Sequence, residues 1–133
     1  MTMEGGCLCG KVRYTVSADP VFTGVCHCKN CQKGTGSAFS VVAGVPSQGL
    51  SISGEPKTYV GRGDSGQETR RRFCSECGSP ITSEAAMMPG ITMVEVGTLD
   101  DPSAMSGDRR VQEIGTQRSH ARERPLLVET GKP

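Results

Sequence analysis

The chain has 133 residues and a formal net charge of +1 at pH 7, with 15 Lys and Arg against 14 Asp and Glu; this balance excludes a strong binder of phosphate backbones. Only 35% of residues are apolar, and the aromatic ones are Tyr14, Phe22, Phe39, Tyr59 and Phe73. One domain with a modest core is therefore expected, and a bound metal is one way to add the stability such a core lacks.

Apolar residues recur mostly with period two, which predicts strands. Val12, Tyr14 and Val16 alternate with Arg13 and Thr15. After Cys28 the run KNCQKGTGS predicts a single helical turn before its glycines interrupt it. Further strands are expected over 38–45, at Leu50 and Ile52, and over 57–60, 69–74, 80–84, 91–98 and, weakly, 111–116. Most of the eighteen glycines and eight prolines fall between these runs and mark turns, so the expected fold class is all-β. Beyond residue 105 the chain becomes arginine-rich and poor in apolar residues. The expected organisation is a domain over 1–105 and a divergent segment over 106–133 that ends in a loosely attached tail.

No window approaches the roughly 18 apolar residues that cross a bilayer, and the MTMEGGC start has no basic segment followed by an apolar stretch. A soluble, cytoplasmic protein without membrane or nucleic-acid partners is expected, and a reducing compartment favours metal binding by cysteine over disulfides. The seven cysteines stand as Cys7 and Cys9, then Cys26, Cys28 and Cys31, then Cys74 and Cys77.

Structural zinc takes four ligands in a tetrahedron, and a Cys-x-x-Cys turn supplies two of them. Cys74-Ser75-Glu76-Cys77-Gly78 has that form, with a glycine placed to adopt the positive φ that turns amides toward sulfur. Cys7 and Cys9 are two apart, so an extended chain points both to one face, where they can complete the set. Four thiolates on one zinc leave a charge of about −2, and Arg70, Arg71 and Arg72 are expected to offset it.

Cys26, Cys28 and Cys31 offer three thiolates and so leave a coordination position open, as catalytic zinc sites do. Other readings stand beside this one. His27 or a water can close the site and make it structural, or Cys28 and Cys31 can form a disulfide. An iron–sulfur cluster has no support from the spacing. Gly34-Thr35-Gly36-Ser37 follows directly, and its amides can cradle an anion or simply make a turn, with Gly36 and Ser37 the candidate contacts.

The runs Gly5-Gly6-Cys7-Leu8-Cys9-Gly10-Lys11-Val12-Arg13-Tyr14, Cys26-His27-Cys28-Lys29-Asn30-Cys31-Gln32 with Gly36-Ser37, and Phe73-Cys74-Ser75-Glu76-Cys77-Gly78-Ser79 resemble the glutathione-dependent formaldehyde-activating enzyme family. Val96-Gly97-Thr98-Leu99-Asp100-Asp101 resembles a later segment of it, so the likeness spans about residues 4 to 105. The resemblance implies small tent-like antiparallel sheets of the Mss4-like kind, joined by a structural zinc on Cys7, Cys9, Cys74 and Cys77. It also implies a second zinc on Cys26, Cys28 and Cys31.

The implied reaction joins a glutathione-like thiol to an aldehyde, a carbon–sulfur lyase-type chemistry whose product is S-hydroxymethylglutathione, with Cys26, Cys28 and Cys31 as essential ligands. Relatives commonly carry a tryptophan-containing apolar segment after residue 105, whereas this chain has no Trp. That departure motivates two alternatives: a non-catalytic zinc-binding scaffold, and a thiol-redox module built on Cys26 to Cys31.

Overall fold

The structure, a computed structural model, describes residues 2–63 and 66–102 and the strand at 111–114. Two sheets are built from β1 (Met3–Gly6), β2 (Arg13–Val16), β3 (Phe22–Cys26), β4 (Ser40–Pro46), β5 (Leu50–Ser53), β6 (Lys57–Arg62), β7 (Glu68–Phe73), β8 (Pro80–Ala85), β9 (Ile91–Glu95) and β10 (Val111–Ile114). The smaller has the order β1-β2-β5 and the larger β10-β3-β4-β9-β8-β7-β6. Every pairing is antiparallel except β10 with β3. The all-β expectation holds, with one short helix, α1 (Lys29–Thr35), added to it.

Alternation in β2 does what its sequence predicts. Tyr14 and Val16 are 2% and 0% exposed and join Val45, Val94, Ile81 and Leu99 in the core between the sheets. The strand predicted over 91–98 ends at Glu95, and residues 96–98 turn into a 3₁₀ segment. That segment locks the small sheet to the large one. Tyr14 Oη and Thr98 Oγ1 are 2.8 Å apart, Asp100 donates its N–H to Glu4 O at 2.9 Å, and Arg13 forms a two-armed ion pair with Asp100.

β1 and β3 lie outside the predicted strands. β1 is half glycine, and β3 is largely buried on both faces, so neither shows alternation. The predicted strand over 111–116 is present as β10, and the expected tail beyond it lies outside the described residues.

The register of the large sheet separates its two faces. Ala43 and Val94 are cross-strand partners on the core side. Gly44, Met93, Ser83 and Arg71 form a continuous cross-strand row on the other side. The chain turns from β5 into β6 through Gly54, whose φ is +95° and whose missing side chain leaves room for the Lys11 carbonyl oxygen. A Cβ there would overlap that oxygen, so Gly54→Ala is expected to lower the unfolding free energy by about 2–4 kcal/mol in urea titration.

Candidate metal centres and the cavity beside them

The turn that follows β1, where an extended chain was expected, carries Cys7 and Cys9, and the turn between β7 and β8 carries Cys74 and Cys77, so one cluster joins the two sheets. The four sulfurs lie within 4.8 Å of one another. Cys9 Sγ is 3.6 Å from Cys7 Sγ and 3.7 Å from Cys74 Sγ. Four sulfurs at zinc bond length would stand about 3.8 Å apart at the corners of a tetrahedron, so the donor set fits.

Backbone amides face the sulfurs as the turns require. Val12 N–H donates to Cys7 Sγ at 3.2 Å and Glu76 N–H to Cys74 Sγ at 3.3 Å. Gly78 has φ +79° and returns its N–H to Cys74 O at 2.8 Å, which closes the second turn. Ser79 Oγ stands 3.3 Å from Cys77 Sγ, and this contact, with the Ser79 amide, holds the Cys77 thiol down at about 5. Cys7 and Cys74 belong to the hydrophobic core, at 8% and 1% exposed.

The second cluster takes Cys26 from the end of β3, and Cys28 and Cys31 from the N-cap and first turn of α1. Its three sulfurs again lie within 4.8 Å of one another. Cys26 Sγ is 3.3 Å from Cys28 Sγ, and Cys31 N–H donates to Cys28 Sγ at 3.4 Å. Hydrogen bonds from Cys26, then Cys31, hold the Cys28 thiol down at about 2. Cys26 is pushed up chiefly by its hydrogen bond with Cys28, and Cys31 lies well above the ordinary thiol range because of Cys26 and Cys28. Two thiols thus stabilise one thiolate, an electron-rich donor set that can hold a metal ion. His27 is buried and packs its ring, tilted by 51°, against Phe39 at 5.4 Å between centroids; the cluster consists of the three sulfurs.

Helix α1 runs through Gly34 and ends only at Gly36, longer than the single turn expected. Gly36 donates its N–H to Gln32 O at 2.8 Å and Ser37 donates its own to Thr35 Oγ1 at 3.1 Å. Both amides expected to cradle an anion therefore already have partners inside the helix end, and neither residue lines the cavity described next.

The three arginines before Cys74 do not gather at the four-sulfur centre. Alternation along β7 sends Arg70 to Glu68 at 2.9 Å and Arg72 to Glu84 at 3.1 Å, while Arg71 points to the opposite face, beside the second cluster. Lys11, whose backbone amide faces Cys9, pairs its ammonium with Glu76 at 3.3 Å.

A cavity of about 570 Å³ lies on this face, with Cys26, Cys28 and Cys31 on one side and Arg71 on another. Phe22, Val42, Met88 and Met93 make its wall largely apolar. The cysteines were legible from their spacing, but this wall was not. The period-two pattern fixes that Arg71 opposes Arg70 and Arg72 without saying which side faces the core.

On the same face as Val42, its cross-strand partner Glu95 accepts from Ser40 Oγ at 3.0 and 3.3 Å, and Ser40 in turn pairs with Cys26 across the strands. Burial pushes the Glu95 carboxyl up, against the lowering effect of Ser40 and Arg71. A folded pKa above the unfolded one gives stability that is present below the unfolded pKa and lost as pH rises through the folded value. Glu95→Gln is therefore expected to lose less stability than wild type as pH rises above about 4, the ordinary carboxyl value, read as melting temperature.

The sequence profile of the family described as glutathione-dependent formaldehyde-activating enzyme matches residues 2–114. The chain belongs to this family. The match runs past residue 105, where the likeness was expected to stop, and includes β10.

Among curated relatives, a protein of Emericella nidulans is 35% identical over 72 residues and one of Talaromyces marneffei is 34% identical over 74. Each is named "Putative glutathione-dependent formaldehyde-activating enzyme", and the aligned part is 54% of this chain and 36% or 38% of theirs. The chain thus spans little more than a third of the length of these relatives. A solved structure of a Rhodobacter sphaeroides protein superposes with TM-score 0.61 at 20% identity, over 84% of this chain and 100% of that one, which supports the fold. No helix among the described residues is long and apolar enough to cross a membrane.

Proposed function

We propose that the protein is a zinc-dependent carbon–sulfur lyase-type enzyme that joins a glutathione-like thiol to an aldehyde at the Cys26, Cys28 and Cys31 cluster. The observation that carries this reading is a three-sulfur donor set opening onto a cavity that also contains a cation, Arg71. In the reaction the thiol sulfur bonds to the carbonyl carbon, the C=O double bond becomes a single bond, and the thiol proton ends on the new hydroxyl. With formaldehyde and glutathione the product is S-hydroxymethylglutathione.

Zinc held by Cys26, Cys28 and Cys31 would supply a Lewis acid with one position open to a fourth ligand. The chain's own residues supply placement. Arg71 attracts a carboxylate of the thiol, and α1 fixes Cys28 and Cys31 at one side of the cavity. The apolar wall offers water few hydrogen-bond partners, which strengthens the attraction between Arg71 and a carboxylate. A second zinc on Cys7, Cys9, Cys74 and Cys77 holds the two sheets together and takes no part in the chemistry.

Exchange spectroscopy with ¹³C-formaldehyde and glutathione tests the reading. The zinc-loaded protein is expected to speed exchange between free formaldehyde and the adduct beyond the uncatalysed rate. Equal rates with and without the loaded protein would remove this assignment, and the non-catalytic scaffold motivated by the divergent C-terminus would take its place.

A further inference from the structure

We infer that the cavity over Cys26, Cys28 and Cys31 selects thiol adducts whose sulfur carries an apolar substituent of several carbons, with a carboxylate of the same molecule held at Arg71. This rests on the reading above and narrows its substrate class. A hydroxymethyl group brings one carbon and one hydroxyl to the site, and neither makes use of an extended apolar wall. The wall is nonetheless built.

One cross-strand row of the large sheet runs Phe22, Gly44, Met93, Ser83, Arg71. Its first part is apolar and its last residue is a cation. Adjacent strands lie about 4.8 Å apart, so Met93 and Arg71, two strands apart, are separated by roughly 10 Å of sheet. Gly44 adds no side chain to this row, and the Phe22 ring occupies the space a Cβ there would take.

Val42 stands one alternation from Gly44 on the same face, and Met88 joins the wall from the turn after β8. Methionine side chains are unbranched and polarisable and fit substituents of varied shape. The cavity's 570 Å³ is within the range of sites that enclose drug-sized ligands.

Arg71 is suited to be the anchor because, among the described residues, it forms no ion pair, whereas Arg70 and Arg72 on the same strand are both paired to glutamates. It also packs toward the cysteine-bearing helix. A Cβ built on Gly34 of α1 would lie 3.2 Å from an Arg71 guanidinium nitrogen. The anchor and the thiolates are thereby held on neighbouring elements, and an arginine fork suits a carboxylate.

Isothermal titration of the zinc-loaded full-length protein with glutathione, S-methylglutathione and S-hexylglutathione tests the inference without turnover. S-hexylglutathione is expected to bind at least about tenfold more tightly than S-methylglutathione, given the apolar area its five extra methylenes bury. Met93→Gln, similar in length but polar, is expected to bring that ratio close to one. Arg71→Gln is expected to weaken all three ligands by about tenfold while leaving the hexyl-to-methyl ratio unchanged. Melting temperatures identify any variant that has simply lost its fold. Equal binding of the hexyl and methyl compounds, with glutathione still bound, would overturn the inference and leave the proposed function standing. Failure of all three to bind would overturn both.

Discussion

Cys74→Ser is expected to yield a chain that no longer holds its fold at room temperature and retains at most one metal ion. Cys74 is 1% exposed, belongs to the hydrophobic core and accepts the Glu76 amide. Its sulfur also closes the cluster through which β1 of the small sheet is tied to the β7–β8 turn of the large one. A structural zinc of this kind contributes roughly 10–16 kcal/mol to folding. A whole domain is stable by only about 5–15 kcal/mol, and the aromatic-poor core of this one offers little to offset the loss. Circular dichroism of Cys74→Ser, together with wild type treated with a strong chelator, checks this, and both are expected to unfold. A chelated wild type that keeps its spectrum and melting temperature would show that the core alone suffices.

The opposite outcome is expected for the other cluster. Cys28→Ser should leave the melting temperature within a few degrees of wild type, since Cys28 is the N-cap of a helix of seven residues and serine caps helices well. Activity is expected to fall by about a thousandfold or more, because the three-sulfur set becomes a two-sulfur set. Metal content is expected to drop by one ion per chain. Steady-state exchange rates and native mass spectrometry on the same sample read both effects. The contrast would separate a centre proposed to hold the fold from one proposed to serve chemistry, a division the Cys-x-Cys and Cys-x-x-Cys spacings already suggested.

Much of this was legible in the sequence, for identifiable reasons. Strands such as β2 and β5 bury one face only, so Tyr14, Val16 and Ile52 stand out from the polar residues between them. Ligand grouping was legible because covalent spacing limits which sulfurs can meet. What escaped depended on tertiary context. β3 is largely buried on both faces and so carries no alternation. Helix α1 tolerates Gly34 next to the Arg71 guanidinium, a contact between residues far apart in sequence. The role of the three arginines was misassigned for the same reason. Proximity to Cys74 along the chain does not give the parity of β7, which sends Arg71 toward the second cluster and pairs its neighbours with Glu68 and Glu84.

The wall formed by Phe22, Val42, Met88 and Met93 comes from three strands and a turn that share no local motif. Only the register brings them together.

We propose that the seven cysteines form two metal centres, four that hold the fold and three that face the substrate. Native mass spectrometry of freshly purified protein, before and after mild chelation and with glutathione titrated into each sample, tests it most directly. Two zinc ions per chain are expected, with selective loss of one on mild chelation without unfolding and glutathione binding that disappears with that ion. A single zinc per chain, with glutathione binding unchanged after the cavity cysteines are blocked, would contradict it.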